Sequence, residues 1–131
     1  MTRKNIPSGS PFEATIGFSR AVRKGNFISV AGTAPIADDG TTVAIGDVYE
    51  QTKRCIDIMR QAIESAGGSL EDVVRTRIML LDADTWEEAS KAHGEAFADI
   101  RPACTFMEVS RFINPEWLVE MEADCIVDDE A

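Results

Sequence analysis

The chain has 131 residues, 44% hydrophobic and 27% charged, with 13 Lys+Arg against 23 Asp+Glu for a formal net charge of −10. That length suits one domain, residues 1–131, able to bury roughly two thirds of its unfolded surface without a disulfide or metal staple. The absence of any run near ~20 apolar residues argues against a membrane span, and the negative field argues against a nucleic-acid or anionic-lipid partner.

Residues 1–13 read as an irregular lead-in to a core of about 14–127. The basic Met1-Thr2-Arg3-Lys4-Asn5 start lacks an apolar stretch behind it, so a secretory signal is not expected and the cytoplasm is the default location. Residues 14–21 and 26–33 read as two strands joined at Arg23-Lys24-Gly25-Asn26 into a hairpin. Asp38-Asp39-Gly40 marks a further turn.

The first helix is predicted over 48–66. Asp47 is its cap, Glu50 a capping-box partner, and Gly67-Gly68 its end. Tyr49, Thr52, Ile56, Met59 and Ile63 form its stripe, widened by Cys55, Ile58 and Ala62. A strand follows over 73–81. A second helix over 85–100 has Asp84 as its cap, and Trp86, Ala89, His93, Phe97 and Ile100 share one face. Strands over 104–110 and 118–127 close the chain. In the last, Val119, Met121, Ala123 and Cys125 alternate with Glu120, Glu122 and Asp124. Residues 128–131 read as a frayed acidic end. The order β-β-α-β-α-β-β implies a two-layer α+β domain, with two helices on one face of a mixed sheet of about five strands. The other face would carry Arg75, Arg77 and Met79 together, a mixed surface suited to a subunit interface.

Chemistry-bearing patterns are sparse. Cys55, Cys104 and Cys125 are odd in number, widely spaced and in no CxxC pair, which argues against disulfides and zinc. The lone His93 reads as a packed residue, and no metal or cofactor is expected. Glu120 and Glu122 sit two apart on one strand face, with Glu108 on the preceding strand, and Arg75 and Arg77 sit two apart on another strand face. These residues suit either a cross-strand ion-pair ladder or a cleft in which arginine holds a carboxylate and glutamate handles water.

A wider pattern carries more information. Ile16-Gly17-Phe18-Ser19, the run Phe27-Ile28-Ser29-Val30-Ala31-Gly32-Thr33-Ala34-Pro35, the segment Gly67-Gly68-Ser69-Leu70-Glu71-Asp72-Val73-Val74-Arg75-Thr76, Arg101-Pro102-Ala103-Cys104-Thr105-Phe106-Met107-Glu108-Val109 and Leu118-Val119-Glu120-Met121-Glu122-Ala123 together resemble the RidA/YjgF family. The resemblance implies a chorismate-mutase-like fold and a homotrimeric barrel with small-molecule clefts between subunits. It further implies hydrolytic deamination of small reactive enamines or imines. Glu120 matches the family glutamate that positions water.

One departure is sharp: the family's substrate-binding arginine follows Pro-Ala, and here Cys104 follows Pro102-Ala103. Cysteine supplies no cationic fork. Arg77, or Arg75, is the candidate replacement charge. Otherwise the ligand lacks a carboxylate at that point, and Phe18, Ser19, Phe106 and Trp117 line a more apolar site with Cys104. The alternative is a non-catalytic, small-molecule-binding or stress-protective trimer. An endoribonuclease is disfavoured by the charge of −10.

Overall fold

The structure is a computed structural model that describes residues 2–128; the expected fraying of the last residues falls outside this range except at Asp128. Six strands, β1 (Arg3–Ile6), β2 (Ala21–Lys24), β3 (Phe27–Thr33), β4 (Val73–Leu80), β5 (Ala103–Glu108) and β6 (Val119–Ile126), form one sheet in the order β1-β2-β3-β6-β4-β5. The β4–β5 pair is parallel and the others are antiparallel, so the sheet is mixed. Helices α1 (Val48–Ser65) and α2 (Trp86–Phe97) are the long helices among the described residues. The α+β class expected from the pattern is the class observed.

Alternation places the core. Val119, Met121, Ala123 and Cys125 on β6 and Thr76, Ile78 and Leu80 on β4 are buried towards the helices. They meet Cys55, Ile56, Met59, Ala62 and Ile63 of α1 and Ala89 and Phe97 of α2. Each buried Leu, Ile or Met side chain contributes about 1.5–3 kcal/mol by leaving water. Asp47 caps α1 as predicted, accepting from the Glu50 amide at 3.0 Å. The reciprocal half of the capping box does not form, because the Asp47 amide bonds Ala44 O at 2.9 Å instead. Gly67 ends α1 at φ +89, where its amide bonds Glu64 O at 3.0 Å and that of Gly68 bonds Ile63 O at 2.9 Å. A side chain at Gly67 would strain the left-handed backbone and also place a Cβ 2.8 Å from Arg23 Nη1.

Several local expectations are corrected. Residues 3–6 are an edge strand rather than an irregular lead-in, paired with β2 in the register Arg3↔Lys24 to Ile6↔Ala21. Residues 14–21 are not a strand: Glu13–Gly17 form a short π-helical turn and extended pairing begins only at Ala21. Its alternating small and apolar residues mimic a strand, but Gly17 takes φ +83 and leaves the extended region. The hairpin turn itself is the two residues Gly25-Asn26, with Gly25 at φ 61. Asp84 does not cap α2. Asp82 instead caps a preceding 3₁₀ turn, Ala83–Thr85, by accepting from the Asp84 amide, and α2 begins at Trp86, which stays exposed.

Both long helices lie on one face of the sheet. The other face shows Phe27, Val74 and Ile126 at 46%, 44% and 53% exposure, with the charged residues of β4 and β6 between them. Edge strand β5 is exposed at all six positions.

Candidate active site on the uncovered face of the sheet

The site begins with an irregularity in β3. Val30 pairs with Ala123 and Thr33 with Met121, so three steps on β3 span two on β6. Such a bulge bends the strand and re-aims its side chains. Here it sets Gly32 against Glu120, and a Cβ at Gly32 would lie 3.5 Å from Glu120 Oε1. No side chain on Gly32 screens the carboxylate, whose strand neighbour on the other side is Met79.

Glu120 is half-buried, and burial pushes its pKa above the ordinary carboxylate value. The charge of Arg20 opposes the shift and that of Glu122 reinforces it. Burial pulls the Arg20 pKa below the ordinary guanidinium value, against the charge of Glu120. Among the described residues Arg20 is anchored through one guanidinium nitrogen: Nη1 donates to Gly32 O at 2.7 Å and to Thr33 Oγ1 at 3.1 Å. The Thr33 hydroxyl in turn donates to Ala31 O at 2.7 Å, and the Ala31 amide donates to Arg20 O at 2.9 Å. The bulge and the arginine therefore hold one another in place.

A second support comes from α1. Gln51 is fully buried; its Nε2 donates to Glu116 O at 3.0 Å and Val43 O at 3.2 Å, while its Oε1 accepts from the Leu118 amide at 2.9 Å. It pins the loop that delivers β6, and with it Glu120, to the helix layer. A buried amide with its hydrogen-bonding groups engaged fixes geometry well, because breaking it leaves polar groups without partners.

The residues singled out from sequence fall in three places. Arg77 lies on the same face as Glu120, with Nη1 at 3.5 Å from Glu122 Oε1 and 3.3 Å from Asp124 Oδ2. Arg75 reaches Thr105 Oγ1 at 3.5 Å. The cross-strand ladder is thus formed by Arg77, Glu122 and Asp124. Glu108 stands apart, accepting from the Ala83 amide at 3.0 Å. Cys104 pairs with Thr76, and Phe106 with Ile78, in the parallel β4–β5 register. Side-by-side residues of parallel strands share a face, so Cys104 and Phe106 stand on the helix side of the sheet, opposite in face to Glu120 of the same chain. Phe106 meets Trp86 edge-on at 6.5 Å. Thr76 Oγ1 lies 2.9 Å from His93 Nε2, and the His93 ring packs 4.6 Å from Phe97. Burial lowers the His93 pKa, in keeping with a packed, neutral ring.

Trp117 lines a separate hollow of about 560 Å³ with Leu81, Arg111, Phe112, Ile113 and Pro115, at the end of β4 and β6 beyond Glu120. Phe18 and Ser19 bridge the π-helical turn and β2, just before Arg20; Ser19 Oγ accepts from Asn5 Nδ2 at 2.9 Å. Cys55 and Cys125 are core residues, their thiols pushed up by burial, Cys125 to about 12. Among the described residues no group of three or more His, Cys, Asp and Glu side chains is arranged to hold a metal, and no helix is long and apolar enough to cross a membrane.

Sequence reasoning passed over Arg20, Gly32 and Gln51. A glycine inside the apolar run 27–33 was the available signal for the bulge. Gln51 on the apolar stripe of α1 was the signal for a buried polar tether. Nothing local distinguished Arg20 from a surface arginine.

Comparison with known proteins agrees with this architecture. Residues 9–127 match the family profile described as Endoribonuclease L-PSP. A RutC family protein of Pyrococcus abyssi is 40% identical over 106 residues, 81% of this chain and 83% of that protein. The 3-aminoacrylate deaminase RutC of Acinetobacter baylyi is 28% identical over 116 residues, 88% of this chain and 90% of that protein. The crystal structure of a Mycobacterium tuberculosis member of the YjgF/YER057c/UK114 family superposes with a TM-score of 0.86 at 41% identity, covering 96% of this chain and all (100%) of that one. The chain is a member of this Endoribonuclease L-PSP family, the RidA/YjgF family.

Proposed function

We propose that the protein is a hydrolytic deaminase of a small reactive enamine or imine, working as a homotrimer with Glu120 as the residue that holds and deprotonates water. The observation that carries this is the half-buried Glu120, raised in pKa and faced by Gly32 rather than by a side chain. A carboxylate tuned upward is a better proton acceptor near neutral pH than an ordinary one. The likeness to a 3-aminoacrylate deaminase supports the same class of reaction.

The step is simple. Water oxygen attacks the carbon of the protonated imine as Glu120 takes a water proton, and the C=N π electrons move to the iminium nitrogen, leaving a neutral carbinolamine. The carbinolamine then collapses: Glu120 gives its proton to the nitrogen, the C–N bond breaks and ammonia leaves, and the hydroxyl oxygen becomes the carbonyl as its proton passes to Glu120 and from there to solvent. An enamine enters the same path after protonation at carbon. The products are a carbonyl compound and ammonia, with no redox change.

Trimerisation gives the uncovered face and the bare β5 edge a partner. It also offers the one route by which Cys104 and Phe106 of one subunit approach Glu120 of another, since within one chain the sheet separates them. Hydrolysis of a small imine is preferred to RNA cleavage because a chain of net charge −10 repels polyphosphate. Cys104 itself favours a second reading, a trimer that binds a small molecule without turning it over.

Ammonia release from chemically generated 2-aminoacrylate and from carboxylate-free imines tests the proposal, alongside sedimentation to establish the trimer. The expected result is turnover of at least one substrate and its loss by 10²-fold or more in Glu120→Gln. No turnover across the panel, with a ligand that only raises Tm, would establish the binding protein instead.

A further inference from the structure

Besides Arg3, on the outer strand β1 and bonded through Nε to Asn5 Oδ1 at 3.1 Å, three arginines stand on or beside the uncovered face, and they are not equivalent. Arg77 is ion-paired, through Nη1, with Glu122 and Asp124, so its charge already has two anions beside it. Arg75 reaches out to the edge strand at Thr105. Arg20 enters none of the ion pairs formed among the described residues. Its Nη1 is spent on Gly32 O and Thr33 Oγ1, whereas Nε and Nη2 donate to no described residue.

Nε and Nη2 are the two parallel donors of a guanidinium's side-on fork, the edge that takes a carboxylate by two hydrogen bonds. Two anchors at Nη1 hold the plane of that fork, so little rotamer entropy remains to be lost when an anion arrives. The cation is also partly withdrawn from water, and that burial lowers its pKa. A half-desolvated charge without a paired anion gains more from one than an exposed arginine does.

We propose that Arg20 is the anion-binding residue of the Glu120 site, its free Nε–Nη2 edge receiving a ligand carboxylate and supplying the charge that Cys104 lacks. The donor therefore comes from the segment leading into β2, not from β5 or β4. The assignment gives the ligand a carboxylate, and the glycine bulge brings that anion's anchor next to the residue that handles water. It rests on the proposed hydrolytic role of Glu120 for its place in a reaction, but binding and turnover are measured apart.

The test uses the full-length protein in its native assembly and two probes of one skeleton, pyruvate and its methyl ester. Calorimetry on wild type is expected to show pyruvate binding that weakens about 10- to 100-fold in Arg20→Gln, the value of a charge-assisted pair. Arg20→Lys, which keeps the charge without the fork, falls between. Methyl pyruvate binds weakly and equally to all three. Glu120→Gln retains pyruvate binding while losing turnover. Because Arg20 also braces the bulge, a variant that misfolds is replaced by NMR of wild type alone: the Arg20 Nε–H resonance moves on adding pyruvate and stays still with the ester. Equal pyruvate affinity in wild type and Arg20→Gln overturns the proposal, as does wild type that ignores pyruvate, or a response at Arg75 or Arg77 with none at Arg20. Pyruvate captured by Arg20 in a protein with no imine turnover upholds this assignment and removes the hydrolytic one.

Discussion

Gly32 offers a graded way to perturb Glu120 without touching its chemistry. An alanine Cβ would sit 3.5 Å from Glu120 Oε1, an ordinary contact, and Gly32 is not in the left-handed region. Gly32→Ala is therefore expected to keep kcat/KM within about threefold, a change below about 1 kcal/mol. Valine fills two of the three staggered positions beyond that Cβ. A γ-carbon directed at the carboxylate lies one bond of about 1.5 Å nearer, so about 2 Å from Oε1 if nothing moves, well inside contact distance. Glu120 or β3 must give by roughly 1 Å, a misplacement that costs on the order of 100-fold in rate. The same overpacking on an uncovered face costs at most about 1–3 kcal/mol of stability. Ammonia release measures the first effect and a calorimetric melt the second. Full activity in Gly32→Val, in a protein that remains folded, would refute the idea that the absence of a side chain at Gly32 leaves Glu120 free to act.

Other outcomes follow from the same geometry. Glu120 has a raised pKa, so its ionised form is destabilising in the folded state, and Glu120→Gln should melt above wild type at pH 7. That advantage shrinks as pH falls through the raised folded pKa and is gone below the ordinary value of 4.5, where both folded and unfolded chains are protonated; a gap independent of pH contradicts it. Asp47→Ala removes the 3.0 Å cap on α1 and should cost about 1 kcal/mol, lowering Tm by about 4 °C, as a thermal melt would show. Cys104→Arg restores a fork on β5 and should increase turnover of a carboxylate-bearing imine in the trimer. Because Cys104 and Glu120 lie on opposite faces of one chain, the gain should vanish under conditions where sedimentation shows dissociated subunits.

Much of the fold was legible because it rests on periodicity. The alternation of β6 and the stripe of α1 are long enough to declare their faces, and both were found within a residue or two. The errors lie where a few residues decide. Residues 14–17 alternate like a strand, but Gly17 turns the backbone out of extended geometry. Residues 3–6 form a strand only because β2 offers them an edge, a pairing that no local pattern announces. Asp84 has the residue type of a cap, but it lies inside a 3₁₀ turn at 83–85 that Asp82 caps, and α2 begins only after that turn.

The candidate site was legible in part for similar reasons. Glu120 could be picked by strand parity and by its place in the closing pattern. Arg77 shares its face, as parity required, yet which acids it would meet depended on the β4–β6 register, where it falls opposite Glu122. Arg20 became visible only through the bulge that turns Gly32 and Thr33 towards it, and a bulge is a property of two strands at once.

The most direct test of the Glu120 assignment is the pH dependence of kcat/KM for ammonia release, because only the carboxylate form can accept the proton of water. Activity should be low at acid pH and rise with pH through a pKa above the ordinary glutamate value of 4.5, and Glu120→Gln should lack that limb and fall to the uncatalysed rate. A limb that persists unchanged in Glu120→Gln, or wild-type turnover that is flat with pH across this range, would contradict a hydrolytic site built on Glu120.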